Sequence, residues 1–193
     1  AGIVPVGTGT QAIHDPAIHK SDKFVYVSNS SAGTLTSVNT ETLSAVQVVA
    51  DAVGTHEVNY NPRADKLMIG SVAATQDKVG VYDINAITGL VNSTVQQTAL
   101  FGNGDAGVRP WECAWMNTLN EGYCAAGVSG ASSEVWHVVP GGTTTRILGY
   151  TNVTATPNDS ITDLTDSKLY VAVGDGVNIY NIAGGNKTAP VFI

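Results

Sequence analysis

The chain has 193 residues, which is enough for one domain with a sizeable core, and it has no run of roughly 20 apolar residues that could cross a bilayer. The net charge of −7 and the pI of about 4.8 describe an acidic surface, which repels phosphate backbones and disfavours nucleic-acid binding. Only 13% of the residues are charged, whereas the 21 glycines and the many Val, Ser, Thr and Asn residues favour strands and turns.

Four segments of the chain repeat one pattern, in which a short polar strand and a turn lead into a strongly apolar strand. The apolar strands follow Lys23, Lys66, Glu121 and Lys168. A repeat of about 40–50 residues with several short strands is typical of a propeller blade. The sequence therefore predicts an all-β, four-bladed β-propeller of four-stranded antiparallel meander blades, with blades at roughly 11–53, 54–107, 108–155 and 156–193.

Each predicted blade contains an inner strand, an apolar second strand, an alternating third strand and a less regular outer strand. In chain order these are 15–19, 24–27, 35–38 and 45–49; 57–61, 67–69, 79–83 and 90–95; 112–116, 123–126, 135–138 and 145–148; 159–163, 169–173, 177–181 and 191–193. We expect residues 1–10 to close onto the last blade, with 3–6 pairing near 191–193, because ring closure removes exposed sheet edges.

The first repeat carries the sequence Tyr26-Val27-Ser28-Asn29, followed by Gly33-Thr34-Leu35-Thr36-Ser37-Val38-Asn39. These residues resemble the strand–loop–strand pattern of the YVTN-type propeller repeat of secreted bacterial and fungal proteins. The resemblance extends over almost the whole chain and implies a propeller, but it leaves the activity open.

The two cysteines, Cys113 and Cys124, are equidistant from the centre of the polar turn 117–120. A hairpin would place them opposite one another and within disulfide reach, so we expect a disulfide; two buried free thiols are the alternative. Low lysine content, the two cysteines and the many Ser, Thr and Asn residues indicate a secreted, extracellular protein. Five Asn-x-Ser/Thr sequons give weak support for a glycoprotein; they begin at Asn29, Asn92, Asn152, Asn158 and Asn186.

The inner strands of a propeller line its axis, and ligands often bind at one mouth of that channel. The residues that begin the apolar strands, Lys23, Lys66, Glu121 and Lys168, align with one another. Nine residues before each of them lie one imidazole and three carboxylates: His14, Glu57, Glu112 and Asp159. We expect these four residues to converge on the channel as the candidate catalytic set. His56, Trp111 and Asn158 precede the carboxylates and are candidate contacts for a small-molecule or carbohydrate ligand.

Three interpretations of this level of the channel remain open. Oxygen ligands from Glu57, Glu112, Asp159 and Asn158 suit Ca²⁺ or Mg²⁺, whereas His14 or His56 would favour a transition metal. Without a metal, clustered carboxylates raise one another's pKa and could perform acid/base catalysis. Finally, the same side chains could cap backbone N–H groups or bind channel water without any reaction.

The arrangement also resembles the SMP-30/gluconolactonase and paraoxonase-like propellers. That resemblance implies a channel cation that polarises a lactone or ester carbonyl, with Glu57, Glu112, Asn158 and Asp159 as the matching ligand types. The leading hypothesis is a binding or scaffolding module with a polar site, with Ca²⁺ or another divalent cation as the expected cofactor. A lactonase-like or cyclase-type enzyme acting on a small metabolite is the alternative. A self-assembling extracellular structural protein, forming homo-oligomers by strand exchange, is the third.

Overall fold

A computed structural model of the chain describes residues 3–6, 14–50, 55–71, 78–92, 97–100, 108–128, 133–141, 145–150, 159–174 and 176–193. Within these ranges the chain forms four antiparallel sheets, each built from four strands that pair in chain order. The one helical element there is a short 3-10 turn at Asn186–Thr188. The prediction of an all-β chain made of antiparallel meanders is confirmed.

The strand bounds follow the predicted order within each sheet. Sheet 1 contains β1 (Ala17–Ile18), β2 (Phe24–Asn29), β3 (Thr34–Asn39) and β4 (Ser44–Ala50). Sheet 2 contains β5 (Thr55–Asn61), β6 (Lys66–Ser71), β7 (Lys78–Asp83) and β8 (Gln97–Leu100). Sheet 3 contains β9 (Val108–Trp115), β10 (Gly122–Val128), β11 (Ser133–Val138) and β12 (Thr145–Tyr150). Sheet 4 contains β13 (Asp159–Thr162), β14 (Lys168–Val173), β15 (Gly176–Asn181) and β16 (Val191–Phe192).

The fourth strand of sheet 2 is β8 at Gln97–Leu100, whereas the prediction placed it at 90–95, a range of which the structure describes residues 90–92. Val91 instead forms an isolated bridge with Ile84. The Gln47 side chain of sheet 1 donates to the Val91 carbonyl at 2.8 Å and accepts from its N–H at 2.7 Å. The Gln47 side chain thus links sheet 1 to the Val91 backbone of sheet 2.

The predicted disulfide between Cys113 and Cys124 is confirmed. The two residues are direct partners in the β9–β10 ladder, with a Cα–Cα distance of 4.0 Å, and both are buried. Symmetric placement about a hairpin turn was sufficient to identify the pair, because directly opposed residues are in disulfide reach.

The register of sheet 1 corrects the alignment of the first repeat by one residue. At the inner turn His19 N–H donates to Phe24 O at 3.0 Å, just as Asp163 N–H donates to Lys168 O at 3.1 Å. Phe24, and not Lys23, is thus the equivalent of Lys168. Counting back nine residues from Phe24 gives Asp15, so the expectation that His14 lies at the level of the carboxylates is wrong.

The sheets pack face to face through three buried apolar clusters, one between each pair of consecutive sheets. The apolar second strands contribute alternate residues to the two sheets that flank them. In β6, for example, Leu67 and Ile69 join the cluster shared with sheet 1, whereas Met68 joins the cluster shared with sheet 3. Burial on both faces explains why these strands are apolar at consecutive positions.

The N-terminal segment 3–6 lies beside sheet 1, where the Thr36 hydroxyl donates to the Val6 carbonyl at 3.2 Å. Strand β16 pairs with β15. A pairing between 3–6 and 191–193 is not among the strand pairs of the described ranges. No helix in the described part of the chain is long and apolar enough to span a membrane.

Close approach between neighbouring sheets depends on small residues near the end of the second strand. A Cβ at Gly70 would overlap the Trp111 carbonyl oxygen and lie 2.5 Å from that of Pro110, both on β9 of the next sheet. At the equivalent place in sheet 1, the Ser28 hydroxyl donates to the His56 carbonyl of sheet 2. The inner strand of each following sheet therefore lies directly against the preceding one.

We predict that Gly70→Ala lowers the free energy of unfolding by about 1–3 kcal/mol, because the added methyl group pushes β9 away from sheet 2. Gly176→Ala is the matched control, since a Cβ there meets no atom within 4 Å. Urea denaturation of both variants tests this expectation. Equal stability of the two variants would contradict the close approach.

Candidate functional site

The inner strands bring three carboxylates together at one end of the sheets. Asp15, Glu57 and Glu112 each offer one oxygen atom, and these atoms lie within 4.8 Å of one another. Asp15 is exposed, whereas Glu57 and Glu112 are half-buried. Asp159 is the equivalent residue of sheet 4, and the charges of Glu112 and Asp15 add to partial burial in raising its pKa. Adjacent inner strands thus carry carboxylates at one shared level.

Glu57 bridges two sheets. Its Oε2 accepts a hydrogen bond from the Cys113 N–H of β9 at 2.8 Å, and its Oε1 accepts one from the Asn59 amide at 2.9 Å. Burial raises the pKa of Glu57 to about 9, with further contributions from its hydrogen bond to Glu112 and from the Glu112 charge. Glu57 therefore keeps its proton at neutral pH.

Glu112 is the ionised member of this pair. Burial opposes its ionisation, but hydrogen bonds from His56 and Glu57 together with the His56 charge outweigh that effect and lower the pKa of Glu112. The His56 Nδ1 atom lies 3.3 Å from Glu112 Oε1. A carboxylic acid and a carboxylate therefore stand side by side in the same site.

Two histidines flank the carboxylates. The hydrogen bond to Glu112 is the main cause of a raised pKa at His56, whose Nδ1 also lies 3.2 Å from the Trp111 carbonyl oxygen. The His14 ring stacks on His56 with a centroid distance of 3.8 Å, and burial and the His56 charge lower the pKa of His14. His14 thus contacts the site through His56 and does not occupy the carboxylate level.

Of the expected residues, the structure brings together Glu57, Glu112, His56 and His14, and adds Asp15 to them. The sequence did contain a signal for Asp15: His14-Asp15 and His56-Glu57 are the same imidazole–acid pair one repeat apart. Trp111 lies over Gly127 of its own sheet, 3.0 Å from a Cβ placed there, which limits its reach toward a ligand. Asn158 lies outside the described residues.

A concavity opens at the ends of the inner strands opposite the carboxylates. It has a volume of about 520 Å³ and is lined by residues that include Asn61, Arg63, Met116 and Leu164. Trp115 also lines it, but the indole N–H donates to the Asn59 carbonyl at 3.1 Å, so this ring is fixed by packing between sheets 2 and 3. The carboxylate cluster of Asp15, Glu57 and Glu112 lies at the other end of the inner strands.

No family model matches the chain, and no curated protein matches it. Solved structures do match its fold. One is the β-propeller domain of Cps50 (Swd1) from Myceliophteria thermophila, which matches at 8% identity and a TM-score of 0.70, over 90% of this chain and 52% of that one. A Lactobacillus plantarum protein matches at 12% identity and a TM-score of 0.73, over 95% of this chain and 54% of that one. A Bacteroides uniformis candidate 6-phosphogluconolactonase matches at 13% identity and a TM-score of 0.69, over 95% and 54%.

These likenesses establish the fold. The chain is a β-propeller protein, and it spans about half the length of the solved structures it matches. Because no family model matches, membership in the YVTN repeat family stays a prediction. At these identities the neighbours carry no information about the site, so its chemistry rests on the geometry described above.

The raised pKa of Glu57 predicts that stability falls as the pH rises. Between the ordinary carboxyl pKa of 4.5 and the folded value of about 9, the folded chain holds a proton at Glu57 that the unfolded chain has released. Stability should therefore decrease with pH, by at most about 1.4 kcal/mol per pH unit from this group. Glu57→Gln should flatten the decrease, which urea denaturation at pH 5, 7 and 9 measures.

His56 contributes in the same direction, because its raised pKa gives stability that is complete below the unfolded pKa of 6.5 and lost as the pH passes its folded value. His14, His19 and His137 have lowered pKa values and act in the opposite direction only below about pH 6.5, so a smaller decrease should remain in Glu57→Gln between pH 7 and pH 9. Glu41→Gln is the control, since Glu41 is exposed and paired with Lys23. An unchanged pH dependence in Glu57→Gln would show that Glu57 ionises normally.

Proposed function

We propose that the chain is a secreted β-propeller binding module that holds a divalent cation, preferentially Ca²⁺, between the carboxylates of Asp15, Glu57 and Glu112. The observation that supports this function most directly is the convergence of their oxygen atoms within 4.8 Å. Ca²⁺ prefers six to eight oxygen ligands, so water, the ligand or Asp159 would complete the shell.

The electrostatics of the site favour a cation over an empty cluster. Converging carboxylates repel, and in this structure a proton on Glu57 and the hydrogen bond between His56 and Glu112 offset part of that repulsion. A divalent ion would displace the Glu57 proton and neutralise two charges at once. The three side chains that meet are carboxylates, and this oxygen donor set favours hard cations over transition metals.

The bound cation would in turn hold a small molecule or a carbohydrate at the channel mouth through its oxygen atoms. In this proposal His56, Trp111 and Asn158 remain the residues expected beside that ligand. The buried disulfide fits an oxidising, extracellular compartment. Asn29 is buried, so any N-linked glycan of a secreted form would be carried by one of the other sequons.

Ca²⁺ at millimolar concentration should raise the melting temperature, because an ion that binds only the native state stabilises it. Asp15→Asn, Glu57→Gln and Glu112→Gln should each weaken Ca²⁺ binding by roughly tenfold or more, since affinity follows the number of charged ligands. Isothermal titration calorimetry measures the loss.

Asp15→Asn is the most informative of these variants, because Asp15 is exposed and its substitution leaves the core intact. Glu41→Gln, which removes an exposed carboxylate elsewhere, should bind Ca²⁺ as the unmodified chain does. Wild-type affinity in all three site variants, or no Ca²⁺ binding by the unmodified chain, would contradict the proposal.

A second candidate function is acid/base catalysis on a small lactone or ester, and the paired states of Glu57 and Glu112 favour it. A protonated Glu57 could donate to the leaving oxygen while ionised Glu112 accepts a proton from the attacking water. The structurally similar protein from Bacteroides uniformis is a candidate 6-phosphogluconolactonase, and that name suggests lactones as the first substrates to test.

For this second function we predict turnover of a lactone and ester panel that declines above about pH 9, where Glu57 loses its proton. Glu57→Gln and Glu112→Gln should each reduce turnover by about 10²–10⁴-fold, and Glu41→Gln should not. Absence of turnover, or equal turnover in the site variants, would leave the binding function alone.

A further inference from the structure

The concavity at the ends of the inner strands opposite the carboxylates is walled by three consecutive sheets. Its lining residues come from the end of β5 and the turn after it in sheet 2, from the end of β9 in sheet 3, and from the end of β13 in sheet 4. The volume of about 520 Å³ lies within the range of small-molecule sites, roughly 300–1,000 Å³. This end of the sheets therefore has room for a ligand of its own.

Much of this wall is apolar. Met116 and Trp115 are almost completely buried, whereas Ile161 and Leu164 of sheet 4 are 59% and 84% exposed. A ligand that covered these two exposed side chains would remove apolar surface from water, which is the main favourable contribution to association. The concavity thus favours a ligand with an apolar body.

Hydrogen bonds within the chain hold the polar part of the wall in place. The Arg63 N–H donates to Asn61 Oδ1 at 3.0 Å, which fixes the turn of sheet 2. The Asn117 N–H and the Thr162 hydroxyl both donate to the Asp166 carboxylate at 2.7 Å, which joins sheets 3 and 4. Such a preformed wall lowers the entropic cost of ordering the site when a ligand binds.

Arg63 is the one charged residue among the described residues that line the concavity. Its backbone N–H is bonded to Asn61, whereas its guanidinium belongs to none of the ion pairs formed within the described ranges. A guanidinium presents parallel N–H donors that match the two oxygen atoms of a carboxylate. The polar end of a ligand in this concavity should therefore be a carboxylate.

The carboxylates of the surrounding turns are engaged elsewhere. Asp65 pairs with Lys20 at 2.7 Å, and Asp163 accepts hydrogen bonds within its own turn. Asp166 is 7% exposed and carries the bonds between sheets 3 and 4. The Arg63 guanidinium can thus pair with a carboxylate that arrives from solution.

We propose that this concavity binds a small organic carboxylate with an apolar body. The carboxylate pairs with Arg63, and the body packs on Met116, Ile161 and Leu164. Because the net charge of −7 repels anions in general, the affinity for this class of ligand depends on the single guanidinium. The site lies at the other end of the inner strands from the proposed cation site, so the two proposals stand separately.

A ¹H–¹⁵N NMR titration with phenylbutanoate and its uncharged analogue phenylbutanamide tests the site. The carboxylate should bind more tightly than the amide, with chemical-shift changes concentrated in the lining residues. Arg63→Gln should weaken phenylbutanoate binding by about tenfold or more and leave the amide unaffected, because a charge-assisted pair is lost. Lys23→Gln is the matched control, since Lys23 is an exposed cation paired with Glu41 in sheet 1.

Leu164→Ser tests the apolar wall. It should weaken binding of both probes to a similar degree, by about threefold or more, because both cover the same side chain. Leu164 is 84% exposed, so the variant should fold normally, which circular dichroism checks. Ile87→Ser, which removes an 89% exposed side chain from a loop of sheet 2, should bind both probes as the unmodified chain does.

The Arg63 contact and the location of the probe are each open to contradiction. Equal affinities for the two probes, or unchanged phenylbutanoate binding in Arg63→Gln, would show that the carboxylate does not pair with Arg63. Loss of phenylbutanoate binding in Asp15→Asn would place the probe at the proposed cation site instead. Absence of binding at millimolar probe concentrations would overturn this proposal without affecting the outcome of the Ca²⁺ titration.

Discussion

The close face-to-face stacking of consecutive sheets is the constraint on which the rest of this structure depends. Gly70 has no side chain because the carbonyl groups of β9 lie against it, and Ser28 uses its hydroxyl to bond the His56 carbonyl in the equivalent position. Since each inner strand is held directly against the preceding sheet, side chains at one level of neighbouring inner strands must converge. The carboxylate site is therefore a consequence of how the sheets pack.

Convergence creates an electrostatic cost that the site offsets in two ways. Glu57 remains protonated between Cys113, Asn59 and Glu112, while Glu112 remains ionised beside His56. The proton on Glu57 reduces the negative charge of the cluster, and the hydrogen bond from His56 stabilises the charge that remains on Glu112, so all the oxygen donors stay in place. A divalent cation would reduce the same charge more completely, which links the packing of the propeller to a binding function.

Much of this architecture could be predicted from the sequence, because repeated apolar strands, polar turns and a symmetric cysteine pair are local signals. The register of the first repeat could not, since Lys23 mimics Lys66 although Phe24 is the residue that pairs at the turn. This shift of one residue in the alignment placed His14 in the predicted site, where the structure has Asp15. The unequal pKa values of Glu57 and Glu112 depend on burial and on His56, which a linear pattern does not reveal.

A ¹³C NMR titration of the glutamate carboxyl groups, with and without Ca²⁺, tests the central claim most directly. We predict one carboxyl group that titrates near pH 9 in the absence of Ca²⁺, is missing from Glu57→Gln, and ionises below neutral pH once Ca²⁺ is added. Titration of every glutamate near its ordinary pKa, with no response to Ca²⁺, would show that the inner strands do not bring these side chains together.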